Sequence, residues 1–273
     1  LYVYVTAIQN DGVTDDTFSV VSSNPSVVSL EIDGPTVKAT PVAAGTATLT
    51  FTSGSDPTLR KTIDVTVEEG FVMPTGTYGN LTGDTMPYAG KQNAHIDISL
   101  ALTFDDTPVL GDVGEIRIYD AADDTLVDVV NVGVDEDFIG YAGQERQRKV
   151  YYRPVSVDGN TLIIKPHNHA LEYGKYYYVA SGDSVVTSGT LNGEAFAGLG
   201  KNANWSFSTR EAAPESNLLV VDDDGEADFR TVQGALNYVM QSVPSDEAAT
   251  ITVMAGEYEE MMLLRDHNNI TIQ

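Results

Sequence analysis

Three groups of side chains in this 273-residue chain have the types and spacing to do chemistry. In the run Asp222-Asp223-Asp224-Gly225-Glu226-Ala227-Asp228 the acids Asp222, Asp224 and Glu226 alternate, a pattern that offers carboxylate oxygens to a hard cation such as Ca2+. An EF-hand loop starting at Asp222 needs glycine where Ala227 stands, and one starting two residues earlier begins at Val220. The plainer reading is a solvated turn whose acids lie near a helix N-terminus, where the dipole favours them. On that reading no cofactor is expected, with structural Ca2+ as the alternative. His167 and His169 would share a face on a strand and could bind a metal there, but no third ligand is evident; a surface loop is the competing reading. Arg146, Arg148 and Lys149, within Gln144–Lys149, form the main basic cluster and are the candidates to touch an acidic polymer. Tyr151, Tyr152, Tyr173, Tyr176, Tyr177, Tyr178 and Trp205 could stack on sugar rings; at strand period such residues also build a core on one face and cross-strand pairs on the other. The acids at Asp105-Asp106, Asp123-Asp124 and Asp135 to Asp137 read as solvated loop residues.

Composition narrows the partners. The net charge of −25 repels nucleic acid and anionic lipid, and with only 15 Lys and Arg any basic patch for an acidic polymer must be small. Cysteine is absent, which removes disulfides, Cys–metal sites and thiol catalysis. No apolar run approaches the ~18 residues of a membrane span, so no membrane insertion is expected. The opening, Leu1-Tyr2-Val3-Tyr4-Val5, alternates like a strand and has neither an initiator Met nor a signal-peptide pattern. The chain is therefore expected to be a mature fragment.

The elements that must position these residues fall into three segments. Residues 1–69 carry short strands such as Val27–Ile32, Thr36–Thr40 and Ala47–Thr52, punctuated at Asn24-Pro25, Asp33-Gly34-Pro35 and Ala44-Gly45. Residues 74–211 are also β-rich, and period 2 places Ile98, Leu100 and Leu102 on one face. A linker, Arg210–Ser216, leads to 217–273. There Val232, Ala235, Leu236 and Val239 recur at i, i+3, i+4 and i+7, one face of a helix with Thr231 as N-cap. Gly234 occupies the position where a capping box wants Glu or Gln. Strands at Thr250–Gly256 and Asn269–Gln273 follow with no crossover helix between them, which suits rungs of a parallel β-helix. An amphipathic helix over the first rung would cover an apolar, unpaired end that otherwise invites aggregation.

Each segment resembles a known family. Ser22-Ser23-Asn24-Pro25 to Leu30, with Gly34 to Ser53, is similar to the bacterial group 2 Ig-like domain. Ala101–Val109, Gly114–Asp120, Leu162–Val179 and Trp205–Arg210 resemble the Ig-like domain of bacterial surface-layer proteins, which implies a central Tyr-rich strand and a last strand at Trp205–Thr209. Asp224-Gly225, Asp228–Gln233, Ala235, Ala255–Glu260 and Asn269–Ile272 resemble the N-terminal end of the pectin methylesterases, whose fold is a right-handed β-helix. The resemblance implies a mainly β chain: two Ig-like β-sandwiches, 1–69 and 74–211, then over 217–273 the start of a right-handed parallel β-helix, its cap helix and first rung. It also implies the function: the non-catalytic front part of a secreted, extracellular or cell-surface bacterial pectinesterase, acting on pectin or a related polyuronate without a cofactor. In that family one Asp attacks the ester carbonyl and a second is the acid/base, with Gln at the oxyanion and an orienting Arg. Those motifs belong to later rungs, so no catalytic residue is carried over. Asp137-Phe138-Ile139 resembles one of them but lacks the next Phe and precedes the helix. The alternatives are a surface adhesin or carbohydrate-binding assembly, and a β-helix polysaccharide lyase.

Overall fold

The computed structural model describes residues 17–67, 70–140 and 147–273, together with the backbone of the short strands Tyr2–Tyr4, Ala7–Ile8 and Thr14–Asp15. The protein is mainly β, and among the described residues a single α-helix, α1 (Val232–Ser242), interrupts the strands. No helix among them is long and apolar enough to cross a membrane. The chain divides into two compact units, Leu1–Phe71 and Val72–Gln273.

In the first unit two antiparallel three-stranded sheets share one core. One holds Phe18–Ser22, Gly45–Ser53 and Arg60–Val67; the other holds Tyr2–Tyr4, Thr36–Pro41 and Val28–Asp33. Alternation sends Val28, Val37 and Ala39 inward from one sheet and Ala47, Leu49 and Phe51 from the other. Gly45 opens its strand at φ 140°, and a Cβ there would stand 2.8 Å from Val27 Cγ2, so both the backbone angle and the space call for glycine.

The second unit takes in both 74–211 and 217–273, which the sequence divides into separate domains, yet it keeps two separate apolar cores. The larger core lies between a five-stranded sheet and a four-stranded sheet. Tyr176–Ser181 is the middle strand of the first, flanked by Ser206–Thr209 and Glu115–Asp120; Leu100–Thr103 lies inside the second, beside Thr161–Ile164. Leu100 and Leu102 are fully buried with Ile98 packed against them, as the period-2 reading expects. Trp205 and Tyr177 are buried core residues, and the Trp205 indole N–H donates to the Pro87 carbonyl at 3.0 Å.

The smaller core belongs to 217–273. Leu218–Val221, Ala249–Val253 and Ile270–Ile272 form a parallel sheet in that order. Leu219, Ile251 and Ile272 stand in register across it. Helix α1 packs on the first two strands, with Val232, Ala235, Leu236 and Val239 all buried among Leu219, Val221, Ala249 and Ile251. Burying Leu236 and Val239 contributes about 2 kcal/mol each. The cover thins at the third strand: Leu219 is 1% exposed, Ile251 0% and Ile272 48%, while Ile270 still packs against this core.

Candidate functional site

The most heavily engaged polar groups gather where α1 begins. Thr231 is the N-cap, extended at φ −127°, ψ 149°, and its hydroxyl accepts from Gly234 N at 2.9 Å. Two carboxylates complete the end from outside the helix. Glu260 accepts from Val232 N at 2.9 Å and from Gln233 N at 2.7 Å. Asp97, on the segment leading to Leu100, accepts through Oδ2 from Arg230 N, Thr231 N and the Thr231 hydroxyl at 2.8, 2.8 and 2.9 Å. Helix N-termini present unpaired amides and positive potential, so both acids are placed where that potential stabilises them. The missing capping-box acid has a steric reason: a Cβ on Gly234 would stand 2.3 Å from Asp97 Oδ2. Oδ1 of Asp97 is buried and receives no hydrogen bond. Burial pushes the carboxyl up to about 6 against the opposing pull of its Thr231 and Arg230 bonds.

A chain of polar side chains runs from α1 to the strand Asp135–Ile139. Gln233 Nε2 donates to Asn237 Oδ1 at 2.7 Å, and its Oε1 accepts from Leu263 N at 2.6 Å. Asn237 Nδ2 donates to Asn168 Oδ1 at 3.2 Å, and Asn168 Nδ2 donates to Asp137 Oδ2 at 2.6 Å. Beside it His167 Nδ1 lies 2.7 Å from Asp128 Oδ1, while Nε2 is 3.5 Å from Asp135 Oδ2. The Asp128 bond holds His167 at about 9, well above an ordinary histidine, so at neutral pH it is an imidazolium between acids. His95 behaves oppositely: its Nε2 meets the Ala227 carbonyl at 3.0 Å, and burial lowers it to about 4.

A cleft of about 1980 Å3 opens alongside α1, and Tyr88, Arg153, Lys165, Arg210, Arg230 and Glu259 are among its lining. Lys165 Nζ donates to Glu259 O at 3.3 Å, and Arg210 to Asp228 O at 3.3 Å.

The residues singled out by sequence fare differently. Asp222, Asp223 and Asp224 bring carboxylate oxygens within 4.8 Å of one another, but Glu226 is not in the group. Asp222 Oδ1 accepts from Gly225 N at 2.9 Å and Asp224 N at 3.3 Å, bonds that hold it below the usual carboxylate range. Arg230 donates to the backbone carbonyls of Asp222 and Gly225 at 2.9 and 2.7 Å, which places a guanidinium beside the acidic turn. His167 and His169 lie off any strand, in a turn, and are half-buried rather than on the surface. They diverge: His167 turns to Asp128, His169 to the Gly140 carbonyl. The acids from Asp135 to Asp137 belong to the strand Asp135–Ile139, not to a solvated loop, and Asp137 is 5% exposed. Arg146 lies outside the described residues. Arg148 is exposed opposite Ile139, and Lys149 is paired to Glu136 at 2.8 Å and lies over the rings of Phe138 and Tyr151. Tyr177 and Tyr178 are buried, Tyr152 and Tyr173 half-buried, and only Tyr151 and Tyr176 present much ring to solvent. Sequence reasoning missed Asp97, Glu260, Gln233 and Asn237. The one visible signal was Gly234, a gap in the capping box that another part of the chain had to fill.

No family model matches the chain, and no curated protein matches it at a significant level.

Proposed function

We propose that this chain is the front part of a secreted, multidomain carbohydrate esterase of the pectinesterase type. In this reading 1–69 and 74–211 are Ig-like spacer and presenting modules, and 217–273 begin a right-handed parallel β-helix beneath a helical lid. The observation that carries it is the row Leu219, Ile251, Ile272: an apolar row covered by α1 at one end of a parallel stack and open at the other. A row buried at its first two members and half-exposed at its third has the shape of a stack on which further turns sit. The residue pattern from Asp224 to Ile272 gives that stack its esterase character. The chain's own acids support a presenting role: Asp97, Glu260 and Asp137 are each engaged by amide donors within the fold. An acidic polysaccharide would meet this part of the protein at the cleft beside Arg153 and Lys165, where neither cation is in an ion pair with a carboxylate among the described residues.

Methanol release from methyl-esterified polygalacturonate tests the reading. The 273-residue chain is expected to release none, and a polypeptide continuing past Gln273 into further parallel turns is expected to be active. Turnover by the 273-residue chain, or an extension with no further parallel turns, overturns it.

A further inference from the structure

Two apolar cores that share no residue would ordinarily melt independently, like neighbouring beads. The seam between them is polar. It consists of Asp97 on Arg230 and Thr231, His95 on Ala227, Arg210 on Asp228, Asn168 on Asn237 and Lys165 on Glu259. Most of these are single bonds between one side chain and one acceptor. Asp97 is different in kind: one carboxylate oxygen takes three donors at the start of the helix, inside a buried pocket. Three donors converge on one buried oxygen, and removing that acceptor leaves buried amides unpaired. The helix has also given up a favourable residue to make room, since Gly234 sits inside α1 and any larger side chain collides with Asp97.

We propose that Asp97 is a latch that makes the two cores of the second unit one cooperative body: the double-sheet part supplies the capping carboxylate that keeps α1 seated on the parallel strands. The idea concerns folding and holds for any activity the parallel stack serves. Its consequence is that the start of the stack is organised by the module before it, with Asp97 as the positioning residue.

The chain offers two separate reporters. Its only tryptophan, Trp205, is buried in the larger core. Because it has no cysteine, a single Gln241→Cys at the exposed end of α1 can carry a fluorophore. In the otherwise unaltered chain the two signals are expected to change at one temperature. In Asp97→Ala the label is expected to lose its signal roughly 4–8 °C below Trp205. Gly234→Ala breaks the same contact from the helix side. Helix propensity alone predicts that it steadies α1, whereas the latch predicts the same early loss. Where Asp97→Ala does not fold, Gly234→Ala decides. Transitions that stay coincident in the variants, at any temperature, overturn the proposal, as does a parent chain whose two signals are already separate.

Discussion

The second unit places acids at two ends of the same short segment and uses them in opposite ways. At the turn before Phe229, the Asp222 carboxylate accepts from the Asp224 and Gly225 amides and the Asp223 carboxylate from Glu257 N in the neighbouring loop, while Arg230 holds the turn's carbonyls. At the start of α1, Asp97 and Glu260 arrive from 134 and 28 positions away and take the helix amides. The Asp222 bonds are local to the turn, whereas the Asp97 bonds exist only when both parts of the second unit are folded. Acid density along a sequence therefore says little about which acids hold the structure; the distance over which their partners are recruited says more.

Substitutions should separate the two ends most sharply. Asp97→Ala is expected to lower the unfolding free energy by about 2–3 kcal/mol in urea titrations, against about 0.5 kcal/mol or less for Asp224→Ala. Equal losses would erase the contrast. Gln233→Ala should follow at about 1–3 kcal/mol, because it strips the partner from buried Asn237 and from Leu263 N.

Proton linkage sharpens the comparison. Asp97 is raised from 3.8 to about 6, so the folded state holds its proton more tightly than the unfolded state does. Its contribution is complete below 3.8 and is lost as pH rises through about 6, opposite in sign to a carboxylate stabilised as an anion. Asp97→Asn should abolish that decline. His167, raised from 6.5 to about 9, contributes stability that is present below 6.5 and lost as pH rises through 9, so His167→Gln should flatten the alkaline limb. His95, lowered from 6.5 to about 4, contributes above 6.5 and loses it as pH falls through 4. Unfolding curves of the parent chain, Asp97→Asn, His167→Gln and His95→Gln across this range check all three signs. The smallest effect concerns the acidic turn: exchanging Ca2+ for a chelator should move the melting temperature by less than about 1 °C, because the Asp222 carboxylate is already bonded to the Gly225 and Asp224 amides.

Much of the local structure was legible in the sequence. The spacing of Val232, Ala235, Leu236 and Val239 announced the buried helix face, Thr231 its cap, and the alternation around Leu100 and Leu102 a core strand. These are short-range patterns, set by the periods of helix and strand. The seam was not legible, because nothing in the local pattern of Ile96-Asp97-Ile98 says that the acid meets an amide 134 positions on. The loop reading of the histidines holds, since a turn through His169 at φ 64° sends the two rings to different partners, but their half-burial and those partners were not visible in the sequence.

Amide hydrogen exchange is the most direct test that 217–273 is a capped stack held from the preceding module. In Asp97→Ala, residues 230–242 and the strand Leu218–Val221 should lose protection while Tyr176–Ser181 and Ser206–Thr209 keep theirs, and Asp224→Ala should change neither. Unaltered protection at α1 in Asp97→Ala would contradict the account.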